Sequence, residues 1–181
     1  LFTVCLAELM VEIGKTDGKK TIAVITDMSQ PLGFAIGNSL EAIEAIETLK
    51  GNGPKDITDL SLTLASHMIF AGEKAASPEE GFQKAKQALE SGAALSKLAE
   101  FIEGQGGDPN VTGNYALFPQ PDCISKIYSQ SDGFIGSIEA RTIGLASQHS
   151  GAGRATKEDG IDLSAGIVLN KKVGDTVSFG G

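Results

Sequence analysis

Cysteine is scarce in this sequence. Cys5 and Cys123 are its only two, too few and too distant from each other to read as a disulfide framework or a zinc site, which points to buried thiols in a reducing, cytoplasmic compartment. Long apolar runs are also missing: residues 21–25 and 167–169, the greasiest stretches, fall far short of the ~20 residues a membrane helix needs, so no membrane role is expected. Positive charge is short as well. Fifteen Lys and Arg stand against 23 Asp and Glu, a net charge of -8 that repels a phosphate backbone. The basic doublets Lys19-Lys20 and Lys171-Lys172 carry no interleaved aromatics, so generic nucleic-acid binding is not expected and any anionic ligand must be met locally. The first residue is Leu1, not Met, and residues 1–6 lack a basic lead followed by an apolar core. They read as the start of an excised piece, not as a signal peptide. What remains is ordinary globular material, 41% hydrophobic and 21% charged over 181 residues, enough for one domain or a domain with a small appendage.

Along the chain, Val4, Leu6, Leu9, Met10 and Ile13 recur at helical spacing and predict a helix over 4–13, stopped by Gly14 and Gly18. Residues 21–27 are rich in β-branched side chains and read as a strand buried on both faces, which implies a parallel or mixed sheet flanked by helices. In residues 28–37, Pro31, Gly33 and Gly37 break regular structure and leave backbone carbonyls available, the pattern of a ligand loop. A helix is expected from Asn38, with Asn38 as cap and Glu41 returning to it; others begin near Asp56 and Pro78, and Gly92 interrupts the last of these before the apolar pattern resumes. Beyond Gly113 the periodicity changes to short β-prone runs at 124–129, 133–138 and 166–169, ending in a tight turn at 172–177. The reading is therefore α/β: a helix-rich segment over 1–113, and a small C-terminal β-rich α+β unit over 114–181 that looks incomplete.

Few residues stand out as chemistry. His67 sits on an amphipathic helix, where a lone histidine is more often a boundary residue than a catalyst. Ser147, His149 and Arg154 could suggest a nucleophilic site, yet sequence neighbours rarely form a triad and no carboxylate is placed to orient the ring. Gly151-Ala152-Gly153-Arg154 could be a small anion nest, although its lack of strand-to-helix context favours a structural turn. The pairs Glu41/Glu44, Glu79/Glu80 and Glu158/Asp159 read mainly as solvated charge. Glu44 is the exception. It lies one turn beyond the start of the helix that follows the Pro/Gly loop and can lean back toward it, where loop carbonyls plus one carboxylate make a hard-cation site.

Thr26-Asp27-Met28-Ser29-Gln30-Pro31-Leu32-Gly33, followed by Ala35-Ile36-Gly37-Asn38 and Glu41, resembles a signature stretch of bacterial pyrimidine-nucleoside phosphorylases. The resemblance continues through Glu44 to Pro54, through Gln105-Gly106-Gly107-Asp108 and Gly151-Ala152-Gly153-Arg154, and from Ile161-Asp162 to Leu169, so that it covers nearly the whole chain. It implies part of the large α/β domain of a homodimeric pentosyltransferase that splits pyrimidine nucleosides with phosphate as co-substrate, giving the base and a pentose 1-phosphate. It also implies a monovalent-cation site, usually potassium, in which Leu32 and Ala35 offer backbone carbonyls and Glu44 a carboxylate.

The family's Lys-His-Ser-Thr-Gly-Gly phosphate loop and its pyrimidine-holding residues have no counterpart here, so no catalytic residue is carried over. Gln148-His149-Ser150 and residues 1–6 also depart from the family's pattern. Two expectations follow: the parent protein is a phosphorylase, and these 181 residues alone form a non-catalytic binding or interaction module with an incomplete cation shell and an exposed sheet edge.

Overall fold

Helices form where the apolar spacing places them. The structure, a computed structural model, describes residues 2–154 and 156–181; Leu1, on which the reading of the chain's start rests, lies outside them. The first helix, α1 (Phe2–Thr16), extends the expected span at both ends and keeps Leu9, Met10 and Ile13 exposed. Four more follow: α2 (Asn38–Leu49), α3 (Lys55–Ala71), α4 (Pro78–Glu90) and α5 (Ala93–Gly104). Their ends follow local chemistry. Pro78 occupies the first turn of α4, where its missing N–H costs nothing, and the Ser77 side chain accepts from the Glu80 amide while Glu80 returns to the Ala76 amide at 2.7 Å.

The start of α2 differs from expectation by one residue. Gly37, not Asn38, is the cap; Glu41 Oε1 accepts from the Gly37 amide at 3.0 Å, and the Asn38 side chain instead donates to the Ala152 carbonyl at 2.9 Å. A distant carbonyl that needed a donor took the asparagine away from local capping.

The expected strand at 21–27 does not form. None of the described segments pairs with it, and Ile22 and Ile25 are exposed. β-Branched residues favour a pleated surface, but a strand exists only where a neighbour supplies ladder partners. The segment is tethered by its leading end: the Lys20 ammonium donates to the Phe70 carbonyl at 3.1 Å and lies 3.5 Å from the centre of the Phe70 ring, holding it against α3.

The sheet content of the described residues is two short antiparallel ladders, not the parallel arrangement that a buried 21–27 strand implied. β1 (Ala35–Ile36) pairs with β3 (Ile167–Val168), with Ala35 opposite Val168 and Ile36 opposite Ile167. β2 (Gly133–Phe134) pairs with β4 (Thr176–Val177) through Gly133–Val177 and Phe134–Thr176. The run at 124–129 stays outside both ladders, with Ile127 fully exposed; only Ser129 is tied, exchanging bonds with Gly180 and Gly181. The turn expected at 172–177 forms, closed by the Asp175 amide donating to the Lys172 carbonyl and by the Lys172 amide donating to the Asp175 carboxylate.

Between β2 and β3, α6 (Ala140–Ser147) runs into a π-helical turn at Gln148–Ala152, and the Asp162 amide donates to the Gly151 carbonyl. The Gly-Ala-Gly-Arg stretch is thus a structural turn. Its Ala152 carbonyl meets α2, as described above. Burial concentrates along α2 and between α3 and α4, where Ile46, Ala85, Ser39, Thr48 and Ser66 are buried; Ser147, at the end of α6, is buried against Ile36. The loop before α2 is therefore held between the helical segment and the C-terminal ladder strand β3, and those two neighbours set its shape.

Candidate functional site

The loop over residues 28–37 is fixed by side chains that satisfy its amides one after another. At its entrance the Ser29 amide and hydroxyl both donate to Asp27 at 2.9 Å, and these two bonds hold the Asp27 carboxyl below the usual carboxylate range. The Ser29 carbonyl in turn accepts from the Ala140 amide at the start of α6. Further on, the Gly33 amide donates to Asp56 Oδ2 at 3.1 Å, and the amides of Phe34 and Ala35 both donate to Glu44 Oε1, at 2.8 and 3.2 Å. Two helix acids thus take three consecutive loop amides, Asp56 from the first turn of α3 and Glu44 from the second turn of α2.

The carbonyls behave differently. Phe34 accepts from the Leu169 amide at 2.8 Å, and Ile36 accepts from the Ser147 hydroxyl at 3.3 Å. Residues in an antiparallel pair alternate between facing their partner and facing away. With Phe34 bonded to Leu169, Ala35 is in the outward register, so its N–H and C=O both point to the side from which Glu44 approaches. Glu44 Oε2 takes no hydrogen bond among the described residues, and it sits against Gly33, where an added Cβ would meet it at 2.0 Å. Gly33 has φ +68, a backbone that side chains rarely adopt.

A cationic side chain reaches the loop from the far end of the chain. The Lys172 ammonium donates to the Pro31 carbonyl, pairs with Asp56 Oδ2 at 3.1 Å, and lies 5.2 Å from the centre of the Phe34 ring; its side chain is only 13% exposed. Next to it the Val173 amide donates to Gln30 Oε1 at 3.2 Å. Burial works against ionisation of Asp56, but the Lys172 ammonium and the amides of Ile57 and Gly33 outweigh it and hold the carboxyl below its ordinary range.

Of the residues expected here, Glu44 faces the loop as anticipated, although it bonds to amides there, and Leu32 and Ala35 lie on that loop. His67 is elsewhere, on α3, with a buried Nδ1 that finds no hydrogen-bond partner among the described residues. His149 belongs to the π-helical turn. Asp56 and Lys172 were missed by sequence reasoning. Asp56 looked like the start of a helix and Lys172 like half of a surface doublet, and no local pattern links a lysine to a carbonyl 141 residues away.

The donor set bears on what the site could hold. Among the described residues no three His, Cys, Asp or Glu side chains gather in metal-binding proximity. Of the two acids that take the amides of Gly33, Phe34 and Ala35, Glu44 is the one not paired with a cation among the described residues, and its observed partners there are the amides of Phe34 and Ala35.

Residues 3–95 match the model of the glycosyl transferase family a/b domain, and residues 134–181 match the pyrimidine nucleoside phosphorylase C-terminal domain. The pyrimidine-nucleoside phosphorylase of Geobacillus stearothermophilus is 49% identical over 175 residues, covering 97% of this chain and 40% of that protein. That of Staphylococcus haemolyticus is 51% identical over 175 residues with the same coverage. The chain therefore spans about 40% of the length of the curated relatives it matches.

Proposed function

The chain belongs to the glycosyl transferase family, on its pyrimidine-nucleoside phosphorylase branch, and from that premise we propose that it contributes the later part of an enzyme that splits pyrimidine nucleosides with phosphate into a base and a pentose 1-phosphate. The observation that carries the reading is near-half identity sustained over 175 residues to enzymes of that name. In such a reaction phosphate attacks the anomeric carbon as the glycosidic bond lengthens, and positive charge stabilises the departing pyrimidine anion. The 181 residues contain no counterpart of the family's phosphate loop, so their share of the work is structural and electrostatic.

Within that reading Leu32, Ala35 and Glu44 hold a monovalent cation, potassium by resemblance, through two carbonyls and one carboxylate. The ion would supply a fixed positive charge that orders the loop. Support comes from the outward register of Ala35 and the unbonded Glu44 Oε2. A division near Gly113 into a helix-rich α/β segment and a β-rich unit belongs to the same proposal, supported by the two family models, which match residues 3–95 and 134–181 on either side of it. So do a homodimeric assembly and a cytoplasmic setting, the latter supported by two free cysteines, which are exposed and not buried as the sequence led us to expect.

The test is direct. A protein uniting these residues with the preceding part that the relatives possess should release uracil from uridine only when phosphate is present, whereas the 181-residue chain alone should release none. Release of no base from any pyrimidine nucleoside by the longer protein would contradict the reading.

A further inference from the structure

We propose that Lys172 is a positioning residue for the cation loop, a tethered ammonium through which the C-terminal unit sets the loop's shape. The inference rests on the cation reading above for its functional consequence, but its geometry stands apart from it. Three contacts converge on one nitrogen: the Pro31 carbonyl, Asp56 Oδ2 at 3.1 Å and the face of the Phe34 ring at 5.2 Å. Pro31 immediately precedes Leu32, and Phe34 lies two residues after it. Asp56 closes a bridge, because Oδ2, which accepts from the Lys172 ammonium, also accepts from the Gly33 amide at 3.1 Å. Leu32 is thus flanked by residues pinned to the same ion pair, with Pro31 held by its carbonyl and Gly33 by its amide.

The backbone beside Lys172 makes the tether stiff. Its own amide donates to Asp175 at 2.7 Å, the Asp175 amide returns to its carbonyl, and the adjacent Val173 amide donates to Gln30. The lysine stem therefore starts from a closed turn already docked on the loop, and little side-chain freedom is left to lose when the ammonium binds. The Lys172 side chain is 13% exposed and that of Asp56 40%, so water is kept from the ammonium more than from the carboxylate, and the pair is screened from the acid's side. The like charge of the ammonium would repel a bound cation if the two met, but Asp56 neutralises it. Glu44 remains the acid available to the ion, because Asp56 is already committed to Lys172.

The tether predicts division of labour between the two acids. Loss of Lys172 should loosen Pro31 to Gly33 and displace the Leu32 carbonyl without touching Glu44 or the helices. The test uses the full 181-residue chain and two readouts, amide hydrogen exchange and the potassium chloride concentration that half-saturates any stabilisation, with tetramethylammonium chloride as the ionic-strength control. Lys172→Met should speed exchange at Gly33 by roughly 10- to 100-fold, as expected for loss of a charge-assisted anchor, and raise the potassium midpoint several-fold, while amides of α3 and α4 stay unchanged. Lys172→Arg should recover most of the protection, because charge and reach are kept. Asp56→Asn, which leaves the lysine contact to Pro31 in place, should speed Gly33 exchange in the same direction and less than additively when combined with Lys172→Met.

Unchanged Gly33 exchange in Lys172→Met would overturn the proposal whatever Asp56→Asn does, as would fully additive effects in the double variant. If the unsubstituted chain shows no preference for potassium over tetramethylammonium, the cation reading fails by itself, and Gly33 exchange still decides the tether.

Discussion

Replacing Gly33 with alanine should open the loop and release Glu44 from it. Two costs combine at this position. A left-handed backbone with φ +68 costs a side-chain-bearing residue ~1–2 kcal/mol, offset by ~0.4–1 kcal/mol because alanine stiffens the unfolded chain. The added methyl would also meet Glu44 Oε2 at 2.0 Å, so the carboxylate must leave the amides of Phe34 and Ala35. A hydrogen bond to a charged acceptor contributes ~1.5–3 kcal/mol, and since both amides share one oxygen we count them as a single contribution. The sum is about 2–4 kcal/mol, or roughly 30- to 700-fold in the local opening equilibrium.

Amide hydrogen exchange at Phe34 and Ala35 reads that equilibrium directly. Gly18 supplies the control, having φ +72 with nothing within 4 Å of its added Cβ, so Gly18→Ala meets the backbone cost alone. Its local exchange should change by less than about fivefold. If Gly33→Ala leaves Phe34 and Ala35 exchange no faster than Gly18→Ala does at its own site, the reasoning that ties Glu44 to the loop amides is refuted.

Other outcomes follow from the charges. Because the Asp56 carboxyl lies below its usual range when folded, the stability it contributes is present above the unfolded carboxylate value near 3.8 and is lost as pH falls through the folded value. Gly33 protection, corrected for intrinsic exchange, should therefore hold from neutral pH to about 4 and collapse only in stronger acid; collapse between pH 5 and 7 would contradict it. Tyr115 donates its hydroxyl to Glu47 and accepts from the Lys50 ammonium at 2.6 Å, and that donation is the main influence holding Glu47 below its ordinary range. Tyr115→Phe should move the Glu47 carboxyl upward in a carbon-detected NMR titration. The tyrosine itself, raised by burial and then by Glu47, should ionise in alkali beyond an ordinary phenol; normal titration would contradict that network.

Much of this arrangement is legible in the letters, and the part that is not has one physical cause. Helix positions follow from spacing and caps that act within four residues: Pro78 and Ser77 start α4, and the Leu40, Ile43, Ile46 and Leu49 stripe marks α2. Glu44 could be placed against the loop because one helical turn is a fixed length. The strand at 21–27 was misread because a ladder is a property of two segments, and its β-branched composition says nothing about whether a partner lies alongside. Asn38 left its capping role, and Lys172 and Asp56 joined the loop, for the same reason: each answers a partner far away along the chain. Local rules see one side of such contacts only.

The central claim is that Leu32, Ala35 and Glu44 together hold a singly charged ion. It is tested most directly by following the carbonyl carbons of Leu32 and Ala35 and the carboxyl carbon of Glu44 by NMR while potassium chloride is added to the 181-residue chain, against tetramethylammonium chloride at matched ionic strength. The three signals should shift along one saturable curve with potassium and stay still with the bulky cation, and the curve should vanish in Glu44→Gln. Signals that do not move, or that move alike in both salts, would contradict the account.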